Sequence, residues 1–241
     1  MSVTSRYRDA WEGFWQEAPE RVGAVLWDAE PALTAGIHLA LFEPHMTATD
    51  LPVVDLGCGN GTQTLFLADR FPRVAGLDLA PAAIARARRC DPDGQVRFTV
   101  ADATEPGDVR RLHRELGDAQ VYLRSVLHQC ESADRGPLAA AVATLVGERG
   151  RAFVVEPAET AGRILCELAH HPEGPPPKLR PVFAHGIVPG AMPDAEVPGL
   201  FRSAGLDVLA SGDIPLTTTE YLPDGTRMEL PSKWLVVGRT G

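Results

Sequence analysis

Cysteine is scarce in this 241-residue chain: Cys58, Cys90, Cys130 and Cys166 are its only four, and none forms a CxxC pair. That excludes a disulfide framework and a structural zinc site of the usual ligand spacing. Basic residues are outnumbered, with 23 Lys and Arg against 32 Asp and Glu, for a formal net charge of −9. Binding nucleic acid calls for a basic face that neutralises phosphates, so this balance argues against a DNA or RNA partner. The one basic run, Arg86, Arg88 and Arg89, reads as the solvated end of a helix. No apolar stretch reaches the roughly 20 residues that cross a bilayer. The opening segment MSVTSRYRDAWEGFW lacks the apolar core of an export signal. The expectation is a reduced, cytoplasmic chain with no membrane partner. What is present, 44% hydrophobic and 23% charged residues, is ordinary for a globular enzyme long enough to bury a core.

Residues 1–50 hold three of the four tryptophans, Trp11, Trp15 and Trp27. Leu26, Leu33, Ile37, Leu41 and Phe42 recur at helix-like intervals, which predicts one or two helices. From Leu51 the pattern changes to short apolar runs, at 51–57, 74–79, 96–102, 119–125 and 151–157. Helical candidates near 61–71, 81–89, 107–116 and 134–147 lie between them. Strand-helix alternation of this kind signals βαβ units, a parallel sheet and helices on both faces. Residues 158–171 read as a further helix. The breaker-rich stretch PEGPPPKLRPVF (172–183) reads as a surface connection, because proline removes ladder and helix donors. A last helix is expected from Asp194 to Ala204 with Gly205 after it. Two strands follow, near 206–217 and 233–239, joined by a turn containing Pro223, Asp224 and Gly225.

The most informative segment is VVDLGCGNGTQTLFLADRF (53–71). A buried strand runs into Asp55, then Gly57, Gly59 and Gly61 mark a tight turn before an amphipathic helix. Alternate glycines let the backbone turn sharply and lie flat against a ligand, and the helix start adds free N–H groups. A dinucleotide fingerprint reads GxGxxG, whereas this segment reads GCGNG. An acid directly before the glycines also suits a cationic ligand better than a pyrophosphate.

The run DLGCGNG (55–61) resembles the first motif of class I S-adenosylmethionine-dependent methyltransferases, an acidic residue followed by GxGxG. The resemblance extends in register over about 51–157. Asp78 in VAGLDLA, with Leu79 beside it, matches the acid that takes both ribose hydroxyls in that family. Asp102 in VRFTVADA, followed by Ala103, matches the residue that receives the adenine amino group. VYLRSVLHQ (121–129) resembles the segment beside the methionine moiety, which places Arg124 near the cofactor's carboxylate. RGRAFVVEPAE (149–159) resembles the region of the fifth strand. The resemblance therefore implies an α/β, Rossmann-like sheet of seven strands, mostly parallel, with a C-terminal antiparallel hairpin and helices on both faces. It implies S-adenosyl-L-methionine as cofactor, with Asp55, Gly57, Cys58, Gly59, Gly61, Asp78, Leu79, Asp102, Ala103 and Arg124 around it.

One methyltransferase domain is expected over 1–241. It divides into an N-terminal helical lid (1–50), a cofactor-binding core (51–157), a pocket-wall insertion (158–205) and closing strands (206–241). Tyr7, Trp11, Phe14 and Trp15 share one helix face. In the family such a helix closes over the cofactor, which makes Tyr7 and Trp15 candidate contacts, since an aromatic face attracts a sulfonium. His128 is placed to take a proton from an acceptor. The same pattern accompanies many different acceptors, so packing is its preferred role. Cys166, His170 and His171 have helical spacing but no convincing further ligand, and no metal is expected. The implied reaction is SN2 transfer of a methyl group to an O or N nucleophile of a small organic molecule, as in natural-product biosynthesis. A cofactor-binding fold used for cyclisation, or a non-catalytic partner subunit, stays open at this level. A nicotinamide-dependent oxidoreductase is disfavoured by GCGNG.

Overall fold

The computed structural model describes residues 3–240 apart from 22, 173, 188–190 and 223. Pro223 of the expected turn and Glu173 of the proline-rich stretch thus lie outside the described residues. Five short strands come first: β1 (Val53–Leu56), β2 (Val74–Asp78), β3 (Arg97–Val100), β4 (Gln120–Arg124) and β5 (Arg151–Pro157). β6 (Asp207–Tyr221) and β7 (Arg227–Gly238) close the sheet. Their spatial order is β3-β2-β1-β4-β5-β7-β6. The first five pair in parallel, and β7 runs antiparallel to both β5 and β6.

The alternation of residues along each strand explains why both faces are covered. Val54, Leu56, Val121 and Leu123 face one core, while Val53, Tyr122, Phe153 and Val155 face another. Strands apolar on both sides belong in a parallel sheet sandwiched by helices. α5 (Pro106–Leu116), α6 (Ser132–Val146) and α9 (Glu196–Ser203) cover the first face. α2 (Ala35–Phe42), α3 (Thr62–Ala68) and α4 (Pro81–Cys90) cover the second. α1 (Val3–Glu17), α7 (Glu159–Ala169) and α8 (Arg180–Ala184) lie around the carboxyl ends of the strands. Pro81 and Pro106 sit in the first turns of α4 and α5, where the missing N–H costs nothing.

Three expectations change. The stretch 172–183 is not irregular throughout: it turns into α8, and Leu179 and Val182 are buried. Proline at N1–N2 starts that helix, since its fixed φ suits a first turn. Leu33 and Ile37 are exposed, while Ala35, His38, Leu39 and Phe42 are buried. A segment apolar all round, AGIHLALF, carries no stripe to show which side packs. The closing strands are also longer than expected, because their tips pack against the N-terminal segment rather than ending at the sheet. No described helix is long and apolar enough to cross a membrane.

Candidate active site

The site forms where the sheet order reverses between β1 and β4, at the carboxyl ends of those strands and β2. Crevices at that reversal are where open α/β sheets bind ligands. β1 leads into Gly57, whose N–H, like that of Cys58, donates to Leu77 O. Gly59 takes φ +55°, and a Cβ there would lie 2.9 Å from the Trp15 ring. Its N–H donates to Asp78 Oδ2 at 2.9 Å, while Ala80 N donates to Oδ1 at 2.9 Å. Asp55 is buried and accepts the Thr64 hydroxyl at 2.6 Å. Enclosure in protein pushes both carboxyls up to about 6, because burial disfavours the charged form.

α1 roofs the glycine turn. Glu12 accepts Ala82 N at 2.8 Å, closing the start of α4, and Arg86 donates to Ala18 O and to Pro19 O. The Arg86–Arg89 run is thus only partly solvated. Arg89 pairs with Glu20 and Arg88 donates to Phe98 O, so these arginines stitch the roof to the core. Trp11, Phe14, Trp15 and Trp27 form a cluster with centroids 5.2–6.3 Å apart, edge-to-face except for the tilted Phe14–Trp27 pair.

Beyond β4 the chain is strained. Ser125 adopts φ +58°, a region that non-glycine residues rarely enter and that clusters at functional sites. Its neighbours are held by Glu156 at the end of β5. Glu156 Oε1 accepts Val126 N and Leu127 N at 2.9 Å, and Oε2 accepts His128 N and lies 2.7 Å from His128 Nδ1. His128 Nε2 faces the Gln129 amide nitrogen at 2.7 Å. Arg124 Nη2 donates to Trp27 O.

One cavity joins these parts. Tyr7, Trp15, Asp55, Gly57, Cys58, Gly59, Asp78, Leu79, Arg124 and His128 all line it. Gly61, at φ +82°, instead starts α3. Asp102 and Ala103 lie off the lining: Asp102 Oδ2 accepts Arg8 at 2.8 Å and Oδ1 accepts Thr104 N and Oγ. The expectation had passed over Trp27, Asp28, Asn60, Tyr122 and Gln129, which also line the cavity, and Glu156 behind it. Asp28 accepts the Asn60 amide at 2.9 Å. Glu156 was findable by the signal that marks Asp78, an acid closing a buried strand. Asp28 and Trp27 come from a loop with no such pattern. Burial pushes the Cys58 thiol up and that of Cys130 up to about 12, so neither lining cysteine is a thiolate nucleophile at neutral pH. Cys166 Sγ lies 3.9 Å from His170 Nδ1, and no group of three metal-ligating side chains forms among the described residues.

Residues 53–150 match the model of the methyltransferase domain family. The chain is 29% identical to a SAM-dependent methyltransferase of Anabaena variabilis, with a TM-score of 0.88 over 97% of this chain and 95% of that one. These likenesses support a class I S-adenosylmethionine-dependent methyltransferase, with its methyltransferase domain over residues 53–150. A 52-residue stretch is 50% identical to trans-aconitate 2-methyltransferase of Escherichia coli, covering 21% of this chain and 20% of that relative. The match thus spans about a fifth of the relative's length. A likeness of fold extends to the 1,6-didemethyltoxoflavin-N1-methyltransferase of Burkholderia thailandensis, at 18% identity and a TM-score of 0.63, over 99% of this chain and 89% of that one.

The cavity's own chemistry fits the family's cofactor. Arg124 Nη1, Ser125 Oγ and Gln129 Oε1 are buried polar atoms without a protein partner, and all three residues line it. Buried polar groups are almost always bonded, so these await a ligand. A buried guanidinium N–H suits a carboxylate, and the acidic and aromatic walls suit a sulfonium.

Proposed function

We propose that the chain transfers the methyl group of S-adenosylmethionine to an O or N nucleophile of a small organic molecule, natural-product biosynthesis being the setting its resemblance implies. The observation carrying this reading is that the glycine turn, Asp78 and the unpartnered Nη1 of Arg124 line one cavity that continues into an apolar chamber. When bound, the cofactor supplies a methyl group on a positively charged sulfur, open to in-line displacement.

Arg124 Nη1 takes the cofactor's carboxylate. Asp78, with lone pairs beyond those given to Gly59 and Ala80, takes the ribose hydroxyls, and Leu79 packs beside the adenine. Asp102, off the cavity lining, ties the roof to the end of β3 through Arg8, and its free lone pairs are those the resemblance gives to the adenine amino group. Tyr7 and Trp15 belong to the roof that excludes water, and the segment 158–205 walls the acceptor side. Alignment and desolvation supply most of the rate in such a transfer. His128 holds its loop through Glu156 and Gln129 rather than acting as the base, because both ring nitrogens already have partners.

The test is calorimetry with S-adenosylhomocysteine, followed by mass analysis of products after incubation with S-adenosylmethionine and a set of phenols and amines. Tight binding with a methylated product is expected; absence of binding overturns the reading.

A further inference from the structure

The cavity extends past the cofactor residues into a chamber whose walls come from four separate parts of the chain. Leu26 of the N-terminal loop, Leu165 of α7, Leu179 and Phe183 at α8, and Leu216 and Leu230 of the long hairpin all line it. Most of them belong to one packed apolar cluster, and Trp27 joins that cluster to the roof's aromatic cluster. Thr218, the hydroxyl on this wall, already donates to Met228 O at 2.7 Å.

Charge decides what such a chamber accepts. Among the described lining residues Arg124 is the only Lys or Arg, against Asp28, Asp55 and Asp78. One Arg124 nitrogen is committed to Trp27 O, and on the reading above the other takes the cofactor's carboxylate. An acceptor with several carboxylates would then be buried beside acids with no side-chain cation left for it, and the single charge of a sulfonium cannot offset several, which is strongly unfavourable. Three unpartnered lining atoms remain: Tyr7 Oη in the roof and, beyond β4, Ser125 Oγ and Gln129 Oε1. A hydroxyl and a carbonyl oxygen together can hold one O–H or N–H group.

We infer that the acceptor is a neutral molecule with an apolar, ring-sized body seated in the leucine chamber and an O–H or N–H nucleophile held by Ser125 and Gln129. Polyanions such as trans-aconitate, the substrate named for the relative in Escherichia coli, are excluded. This rests on the proposed methyltransferase reading, and the experiment separates the two. The full chain is first saturated with S-adenosylhomocysteine, then titrated calorimetrically with 2-naphthol, indole and trans-aconitate. At least one neutral probe is expected to bind 100-fold or more tightly than trans-aconitate. Leu165→Asp is expected to weaken that probe at least tenfold while the variant still binds S-adenosylhomocysteine. Gln129→Leu, which leaves the apolar wall intact, is expected to weaken it three- to tenfold. Trans-aconitate binding as tightly as the neutral probes, or neither neutral probe binding, overturns the inference. Failure of S-adenosylhomocysteine itself to bind overturns the underlying reading instead.

Discussion

At Gly59 two constraints coincide: a left-handed backbone and the Trp15 ring 2.9 Å from where a Cβ would lie. Gly59→Val therefore strains the turn and pushes the roof away. Calorimetry is expected to show loss of S-adenosylhomocysteine binding, with the circular dichroism of the fold retained. Asp78 is a second point of leverage. If Asp78 holds the ribose hydroxyls as proposed, Asp78→Ala is expected to cost about 2–4 kcal/mol of S-adenosylhomocysteine affinity by calorimetry, on the scale of bonds to a charged group. Asp55 and Asp78 both sit near 6 because of burial, and the charged forms are those that suit the cofactor. Affinity is thus expected to rise as pH climbs through about 6, and to fall again below it. A flat affinity between pH 5 and 8 contradicts that. Glu156 answers to a different measurement. Its carboxylate satisfies three backbone N–H groups and His128. Glu156→Ala orphans them for about 3 kcal/mol, which at this chain length lowers the melting temperature by roughly 6–12 °C. His128→Asn, by contrast, is expected to keep most activity and an unchanged pH profile, whereas a rate loss of about 10²–10⁴-fold would make His128 the base.

Among the elements, α1 is the one whose opening the proposed cofactor site requires. It covers the glycine turn, and it is held by single contacts such as Glu12 to Ala82 N and Arg8 to Asp102 as well as by packing. Trp15→Ala is expected to speed cofactor dissociation while changing the melting temperature little. Stopped-flow tryptophan fluorescence reads this directly: in the native chain the observed rate is expected to level off with ligand concentration, as it does when opening limits entry. The helix itself was legible from the spacing of Tyr7, Trp11, Phe14 and Trp15, and so was the segment that follows β1, because glycine at alternate positions has few other uses. What stayed hidden depends on contacts between distant parts. Nothing in the residues around Asp102 announces an arginine 94 positions earlier. Trp27 and Asp28 lie in a loop whose position is set by Asn60 and Arg124, and local patterning is blind to such partners. The proline-rich stretch misled for a related reason. Proline disfavours a helix interior but also begins a helix, and only packing by Leu179 and Val182 shows which applies.

For the molecule as a whole, buried titratable groups work against one another. Asp55 and Asp78 have folded values raised above the usual 3.8, so their contribution to stability is complete below about 4 and is lost as pH rises through about 6. His38 is buried against Tyr122 at 2.7 Å and depressed by burial to about 3. Its contribution is complete above about 6.5 and is lost as pH falls from there toward 3. The windows overlap, so the melting temperature of the ligand-free chain is expected to change little between pH 5 and 7. His38→Phe removes one side of the balance, and its melting temperature should fall as pH rises across that range. An unchanged slope in the variant contradicts the assignment. The two ends of the sheet also divide the labour. Most of the proposed cofactor residues sit at the ends of β1, β2 and β4, under the roof of α1, whereas most chamber walls come from α7, α8 and the β6–β7 hairpin. The two sets meet mainly through Trp27 and the short loop held by Glu156. Such a division makes the chain divisible for breeding new catalysts: a chimaera that imports 158–238 from a relative is expected to take on much of that relative's taste in acceptors and to keep the host's grip on the methyl donor.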